Sequence, residues 1–191
     1  MGTAGTANGA PPGDPGTGRR LFGLALSRPA LLRLVPLLLL LHNAEEALFM
    51  RAFLPRVPAL VPPALRDVVP AVSYPQFLVA LAVVTVVPLA VALAGDLRRP
   101  GPATVFLLFV QAVLGVNVLS HVASAVFLGG YSPGLATALA VNLPFSVYLL
   151  RRARRERWVG GRTFLALLPA AFLVHGPGLL ALLAAAGQLA R

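Results

Sequence analysis

The 191-residue chain contains no cysteine, which excludes thiolate catalysis, Cys-ligated metal sites and disulfide scaffolds. Lysine is missing too, so all 16 basic residues are arginine, against only 6 acidic residues. Charged residues make up 12% of the chain, about half the share of a typical soluble domain and too few to cover a soluble surface. The chain is instead 58% hydrophobic with a mean hydropathy of +0.82, which excludes a disordered chain. These values predict a polytopic membrane protein.

Five long apolar runs follow one another along the chain. They cover about residues 30–53, 76–95, 103–128, 134–150 and 163–188. Each is long enough to cross roughly 30 Å of hydrocarbon as a helix, the fourth only just. We therefore predict an all-α, polytopic transmembrane helix bundle of about five spans, forming one domain over residues 29–191. Residues 1–28 are expected to be a disordered tail with a basic flank, without the features of a signal peptide.

The arginines predict the orientation of the bundle. With the N-terminus inside, twelve arginines fall in inner segments and four in outer ones, which is the expected bias. The Arg151–Arg162 loop is expected to contact anionic lipid. Because the arginines only flank apolar runs, we expect no nucleic-acid partner; the oligomeric state is left open. Arginine without lysine is typical of a GC-rich genome, so we place the chain in the cytoplasmic (inner) membrane of a bacterium.

Few ionisable residues fall inside the predicted spans, and they are histidines and glutamates. They are His42, Glu45, Glu46, His121 and His175. A carboxylate at the bilayer centre costs about 2.5–3.5 kcal/mol on insertion scales, so such residues are functional candidates by default. Spacings of three and four residues place His42 near both glutamates on one helix, although the two glutamates diverge by about 100°.

Polar residues from four spans are expected at a similar depth, close to the middle of the membrane. These residues are His42, Asn117 and His175 near mid-span, Glu46 and His121 one turn further out, and Asn142 in the fourth span. Asn117 and His121 are four residues apart and share a helix face. In the last span His175 is followed by Gly-Pro-Gly, which predicts a kinked or broken helix facing a cavity or site.

Imidazoles and carboxylates without cysteine are a plausible shell for zinc, iron or manganese. The predicted metal ligands are His42, Glu45, Glu46, His121 and His175, and the predicted catalytic residues are Glu45, Glu46 and Asn117. Glu45 is a further ligand or the general base, and Asn117 orients a ligand or water. We expect a metal-dependent, membrane-embedded enzyme acting on a lipophilic small molecule, with hydrolysis, oxidation and isomerisation or cyclisation all open.

Three other functions stay open. Two close carboxylates without a metal would share a proton, which suits acid/base isomerisation or cyclisation of an isoprenoid. A small proton- or cation-coupled transporter could use Glu45 and Glu46, although five spans are few for one. An accessory membrane subunit would need no reactive site.

Residues 42–46 read His-Asn-Ala-Glu-Glu, the motif that names the HXXEE family of small bacterial membrane proteins. The chain also resembles that family in the Asn117-x-x-x-His121 pair, in Tyr131-Ser132-Pro133-Gly134 and in the arginine-rich end of the fourth span. The resemblance covers roughly residues 35–155. It implies a polytopic membrane protein and supplies candidate residues without naming a reaction.

Overall fold

The computed structural model describes residues 26–61, 63 and 71–189, and their regular elements are all helices. These are α1 (Arg28–Phe53), α2 (Tyr74–Ala94), α3 (Pro102–Leu128), α4 (Leu135–Thr137), α5 (Leu143–Arg155), α6 (Gly161–Leu173) and α7 (Leu179–Leu189), with a 3₁₀ helix (Leu54–Leu60) after α1. A π-helical turn joins α4 to α5 and another joins α6 to α7. Five helical rods therefore lie in the described chain, where five spans are predicted. The predicted tail over 1–28 lies outside the described residues as far as residue 25.

Local sequence signals set the ends of the first three helices. The Ser27 side chain caps α1 by accepting from the backbone N–H of Ala30. Ser73 and Gln76 form a reciprocal capping box at the start of α2. After α3 the chain turns at Gly129, whose φ of 61° is a left-handed conformation that suits glycine. The α3–α4 connection is consequently a tight loop, residues 129–134, which reverses the chain.

The two π-helical turns lie at prolines. The turn Ala138–Asn142 immediately precedes α5, which carries Pro144, and the turn Val174–Gly178 contains Pro177. A proline lacks the N–H that an α-helix needs and clashes with the preceding turn, and a π turn is one way to absorb that mismatch. The alternative of a broken last span is therefore wrong, because the helix continues through Pro177 as one rod, Gly161–Leu189.

Three helices of the described chain have the length and apolar composition needed to cross a membrane: Tyr74–Ala94, Pro102–Leu128 and Gly161–Leu189. Large apolar side chains also lie on the outside of the bundle, with Leu48 78% and Phe127 83% exposed. Such a surface suits lipid and not water. The predicted fold class, an all-α membrane helix bundle, is confirmed, whereas the inside location of the N-terminus stays a prediction.

Helix α3 lies at the centre of the bundle and contacts α1, α2, α5 and α6. The last rod packs against α3 through α6 and against α2 through α7. Close packing is densest towards the start of α1 and α3, where the leucines of three helices are fully buried. These are Leu31 and Leu32 of α1, Leu107 and Leu108 of α3, and Leu149 of α5.

The arginine-rich segments meet at this same end of the bundle. Arg28 donates to the carbonyl of Leu97 in the α2–α3 connection at 3.2 Å. Arg152, near the end of α5, donates to the carbonyl of Leu26 at 2.8 Å. The start of α1, the α2–α3 connection and the end of α5 are therefore neighbours, as the predicted charge bias requires.

Candidate functional site

Two imidazoles and one carboxylate meet between α1 and α3. The Nε2 atoms of His42 and His121 are 3.2 Å apart. Glu46 Oε1 lies 3.4 Å from Nε2 of His121 and 3.9 Å from Nε2 of His42. The ligand atoms of these three residues all lie within 4.8 Å of one another, so this group, here named the His–Glu triad, could hold a metal ion.

The triad is withdrawn from the surface of the bundle. His42 is 1% exposed and His121 6% exposed, and the side chain of Glu46 is 13% exposed. His42 and Glu46 are one helical turn apart on α1, so their side chains share a face. The predicted i,i+4 pairing of these two residues is confirmed, and α3 brings His121 against it.

A hydrogen-bond chain fixes which nitrogen of His42 carries the proton. The Thr137 hydroxyl donates to the carbonyl of Gly134 at 3.3 Å. Its oxygen is then free to accept from His42 Nδ1, which lies 2.8 Å away. We therefore assign the proton to Nδ1, and Nε2 presents a lone pair towards the triad centre.

His121 is oriented in the same way. A backbone group of Pro133 bonds its ring, and because proline has no N–H that group is the carbonyl oxygen. Since Nε2 faces the other triad members, Nδ1 is the nitrogen that donates to Pro133. Two ring lone pairs and a carboxylate then point at one place, an arrangement that a cation or a shared proton stabilises.

The distances suit a metal ion. Ligand atoms about 2.1 Å from a tetrahedral ion lie roughly 3.3–3.5 Å apart, close to two of the three observed separations, 3.2 and 3.4 Å. Two histidines and one carboxylate form a ligand set found in catalytic zinc sites and in non-haem iron sites. Both metals keep further positions for water or substrate.

Asn117 lies one turn before His121 on α3 and touches the triad. Its Nδ2 is 2.8 Å from Nε2 of His42, and with the assigned tautomer the amide donates to that nitrogen. The predicted shared face of Asn117 and His121 is confirmed. Asn117 therefore lies beside the triad, with its amide bonded to the lone pair of His42 Nε2.

The 129–134 loop closes the triad from outside α1 and α3. Gly134 has a φ of 86°, a left-handed value that glycine adopts most readily. A Cβ at Gly134 would lie 2.7 Å from Cε1 of His121, 2.8 Å from Cε1 of His42 and 3.0 Å from Cγ of Glu46. No side chain fits there, so only glycine lets the loop approach all three residues.

Glu45 faces away from the triad and towards the loop. Its carboxylate accepts the hydroxyl of Tyr131 and the backbone N–H groups of Ala136 (3.1 Å) and Thr137 (2.8 Å). Loss of surrounding water, the hydrogen bond to Glu45 and its negative charge raise the pKa of Tyr131 to about 12. Tyr131 therefore stays protonated and donates. The structure does not bring Glu45 into the metal-ligand group, because three donors already occupy its oxygens.

His175 also lies outside the triad. Its Nε2 pairs with the hydroxyl of Ser120 at 2.9 Å, and it sits in the π turn of the last rod. The predicted set of five ligands therefore narrows to His42, Glu46 and His121, since the other two candidates, Glu45 and His175, match in residue type and depth but point elsewhere.

A cavity of about 330 Å³ adjoins the triad between α1, α2, α3 and the last rod. Its polar lining consists of Asn43, Glu46, Asn117 and His175, and the rest of the wall is apolar. Glu46 thus faces the imidazoles and borders the cavity at the same time. An apolar cavity with a few convergent polar groups is the usual form of a small-molecule site.

Sequence reasoning missed the residues that hold the triad in place: Thr137, Tyr131, Gly134 and Pro133. The only available signal was the Tyr131-Ser132-Pro133-Gly134 string, which lacks the residue types that mark a metal site. Asn142, expected at the same depth, is 1% exposed, and its amide has no hydrogen-bond partner among the described residues.

Comparison with known proteins shows the family to which the chain belongs. The family model described as "Protein of unknown function with HXXEE motif" matches residues 33–149, more than half of the chain. The chain therefore belongs to the HXXEE family. No curated protein and no solved structure matches it. The matched region contains the whole triad, the 129–134 loop and Thr137, and it ends before the last rod.

Proposed function

We propose that this member of the HXXEE family is a membrane-embedded, metal-dependent enzyme that acts on a lipophilic substrate. The observation that carries the proposal is the triad itself: two oriented imidazole lone pairs and a carboxylate converge beside an apolar cavity. Leaving such groups together in an apolar interior without a cation is costly. A divalent ion, for which zinc, iron and manganese are the candidates, would offset that cost.

Each residue has a distinct role in this proposal. His42, Glu46 and His121 hold the ion, which would act as a Lewis acid on a water or on a substrate oxygen. Because His42 Nε2 would ligate the ion, the Asn117 amide that lies 2.8 Å from this nitrogen would give up that hydrogen bond and donate to the oxygen instead. Glu45 is a positioning residue that fixes the loop and Thr137, and Thr137 in turn fixes the ring of His42.

The packing of the bundle favours an enzyme over a transporter. Transport needs a polar path to both membrane faces. Towards the arginine-rich end the cavity wall along α3 is apolar as far as Phe106, and fully buried leucines, among them Leu32 and Leu149, fill the space between α1, α3 and α5. The cavity instead borders residues on the lipid-facing surface, which suits a substrate that is dissolved in the bilayer.

Metal content per protein tests the proposal. Detergent-purified wild type should hold near-stoichiometric zinc, iron or manganese, and both His42→Ala and His121→Ala should lose it. His175→Ala is the matched control, because it removes a third intramembrane histidine that does not reach the triad, and it should keep the metal. Folding is checked for each variant by size-exclusion chromatography and thermal unfolding.

A folded wild type that holds no metal, even after reconstitution with each ion, would overturn the metalloenzyme. Glu46 between two imidazoles would then remain as an acid/base group for an isomerase or cyclase. Equal metal loss in all three variants would show that the ion does not sit in the triad.

A further inference from the structure

The cavity wall carries polar groups in one part only. Its polar groups are Asn43, Glu46, Asn117 and His175. Beyond His175 the last rod lines the cavity only with apolar residues, as far as Leu183, whose carbonyl accepts a hydrogen bond from Gln76. From Asn117 the cavity continues along α3 as far as Phe106, eleven residues earlier. At 1.5 Å per helical residue this is about 16 Å of wall without polar groups. The shape suits one polar head and one hydrocarbon tail.

The polar groups of the cavity wall restrict the head group that a bound ligand can carry. None of the described residues that line the cavity is arginine, and the chain has no lysine. Phosphates are normally held by cationic side chains or by backbone N–H groups at a helix start. The groups present are two amides, an imidazole and a carboxylate, which can hydrogen-bond an uncharged hydroxyl or carbonyl. A phosphate or diphosphate would find no cationic side chain among these groups.

The cavity has an edge at the lipid-facing surface. Val83 and Val87 of α2 line it and are 40% and 47% exposed, and Val174 of the last rod also lines it and is 45% exposed. The last rod packs on α3 through α6 and on α2 through α7. The space between α2 and α6 therefore opens sideways towards the bilayer.

We propose that the substrate is an uncharged, single-chain amphiphile with a hydroxyl or carbonyl head, which enters from the bilayer between α2 and the last rod. Its head lies beside Asn117 and Glu46, and its tail lies along α3 towards Phe106. This inference rests on the proposed function, because the oxygen of the head is the atom presented to the triad.

Photo-crosslinking with a diazirine-bearing decanol in detergent tests the inference. The label should map to the cavity wall around Val113, unlabelled decanol should compete, and decyl phosphate should compete at least tenfold more weakly. Val87→Trp fills the mouth and should reduce labelling at least fivefold. The adjacent Val86→Trp is the matched control, because Val86 is 60% exposed and does not line the cavity.

Metal content measured on the same samples separates the two proposals. Val87→Trp should keep the metal, because Val87 does not touch the triad. Equal labelling of the Val86→Trp and Val87→Trp variants would overturn binding through this mouth, and equal competition by decyl phosphate would overturn the uncharged head, even where the metal is present. Specific labelling of a protein that holds no metal would instead support the amphiphile site and overturn the metalloenzyme proposal. Val113→Trp, from the opposite wall, repeats the test should Val87→Trp fail to fold.

Discussion

The adjacent carboxylates Glu45 and Glu46 lie on two sides of α1 and have different surroundings. On the loop side, the Glu45 carboxylate accepts hydrogen bonds from one hydroxyl and two backbone N–H groups, which stabilise it. On the cavity side, Glu46 lies 3.4 and 3.9 Å from two imidazole nitrogens and borders the cavity. The two adjacent glutamates thus take different roles. Glu45 supports the loop that covers the triad, whereas the Glu46 carboxylate is available to bind a cation or a proton.

Thr137 connects the two sides. Its backbone N–H donates to Glu45, and its hydroxyl oxygen accepts from His42. The loop that Glu45 holds therefore sets the orientation of a triad imidazole. Because the orientation of His42 depends on the loop, substitutions in the loop and substitutions in the triad both test the comparison of Glu45 with Glu46.

The largest expected effect is at Gly134, where the loop side meets the triad. Gly134→Ala should destabilise the protein by about 2–5 kcal/mol, because a left-handed residue acquires a side chain and that side chain overlaps two imidazoles. Thermal unfolding in detergent measures it. Gly130→Ala is the control, since a Cβ there meets nothing within 4 Å, and it should change stability by less than about 0.5 kcal/mol. Similar losses in both variants would disprove the close approach of the loop.

A smaller effect is expected from Thr137→Val, which keeps the shape but removes the acceptor for His42 Nδ1. Partners of this kind typically contribute about 10–100-fold in metal affinity, so the affinity should fall by that factor, as measured by competition with a chelator. Thr85→Val makes the same change at a hydroxyl that bonds Asn43 and not the triad, and its affinity should match wild type. An unchanged affinity in Thr137→Val would contradict the assigned tautomer.

The smallest expected effect is a loss of stability on the loop side of α1, which should leave the triad unchanged. Tyr131→Phe removes the hydroxyl that donates to Glu45 but keeps the ring against Phe49, and it should cost about 1 kcal/mol of stability. In a Glu45→Gln background the cost should be smaller, which a double-mutant cycle measures.

The same bond has a pH signature. The pKa of Tyr131 is raised to about 12, against about 10 for an exposed tyrosine in an unfolded chain. The folded protein then binds more protons than the unfolded chain between these values, so the contribution is complete below pH 10 and is lost as pH rises towards 12. The stability of Tyr131→Phe should lack this loss. A loss of equal size in both proteins would assign it to another group.

The sequence was sufficient to predict the helices and the residue types of the site. The long apolar runs lie within a few residues of the helical rods, except that the fourth rod runs on to Arg155. The spacing of His42 and Glu46 placed them on one face, and depth brought in His121. These are local properties, readable from spacing along one chain segment.

The direction in which each side chain points around its helix could not be predicted from the sequence. Depth placed Glu45 and His175 in the same slab as the triad, but only the packing of α1 against α3 decides which side chains converge. Thr137 and Gly134 reach His42 across more than 90 residues, through a loop whose sequence resembles an ordinary turn. Nothing in that string distinguishes a loop that covers a site from a simple chain reversal.

The most direct test of the two-sided account is metal binding in Glu45→Gln and Glu46→Gln, measured side by side with wild type. The account predicts that Glu46→Gln loses near-stoichiometric metal, whereas Glu45→Gln keeps it and loses only stability. Retention of metal in Glu46→Gln, or its loss from a well-folded Glu45→Gln, would contradict the assignment of Glu46 as the ligand and Glu45 as the support.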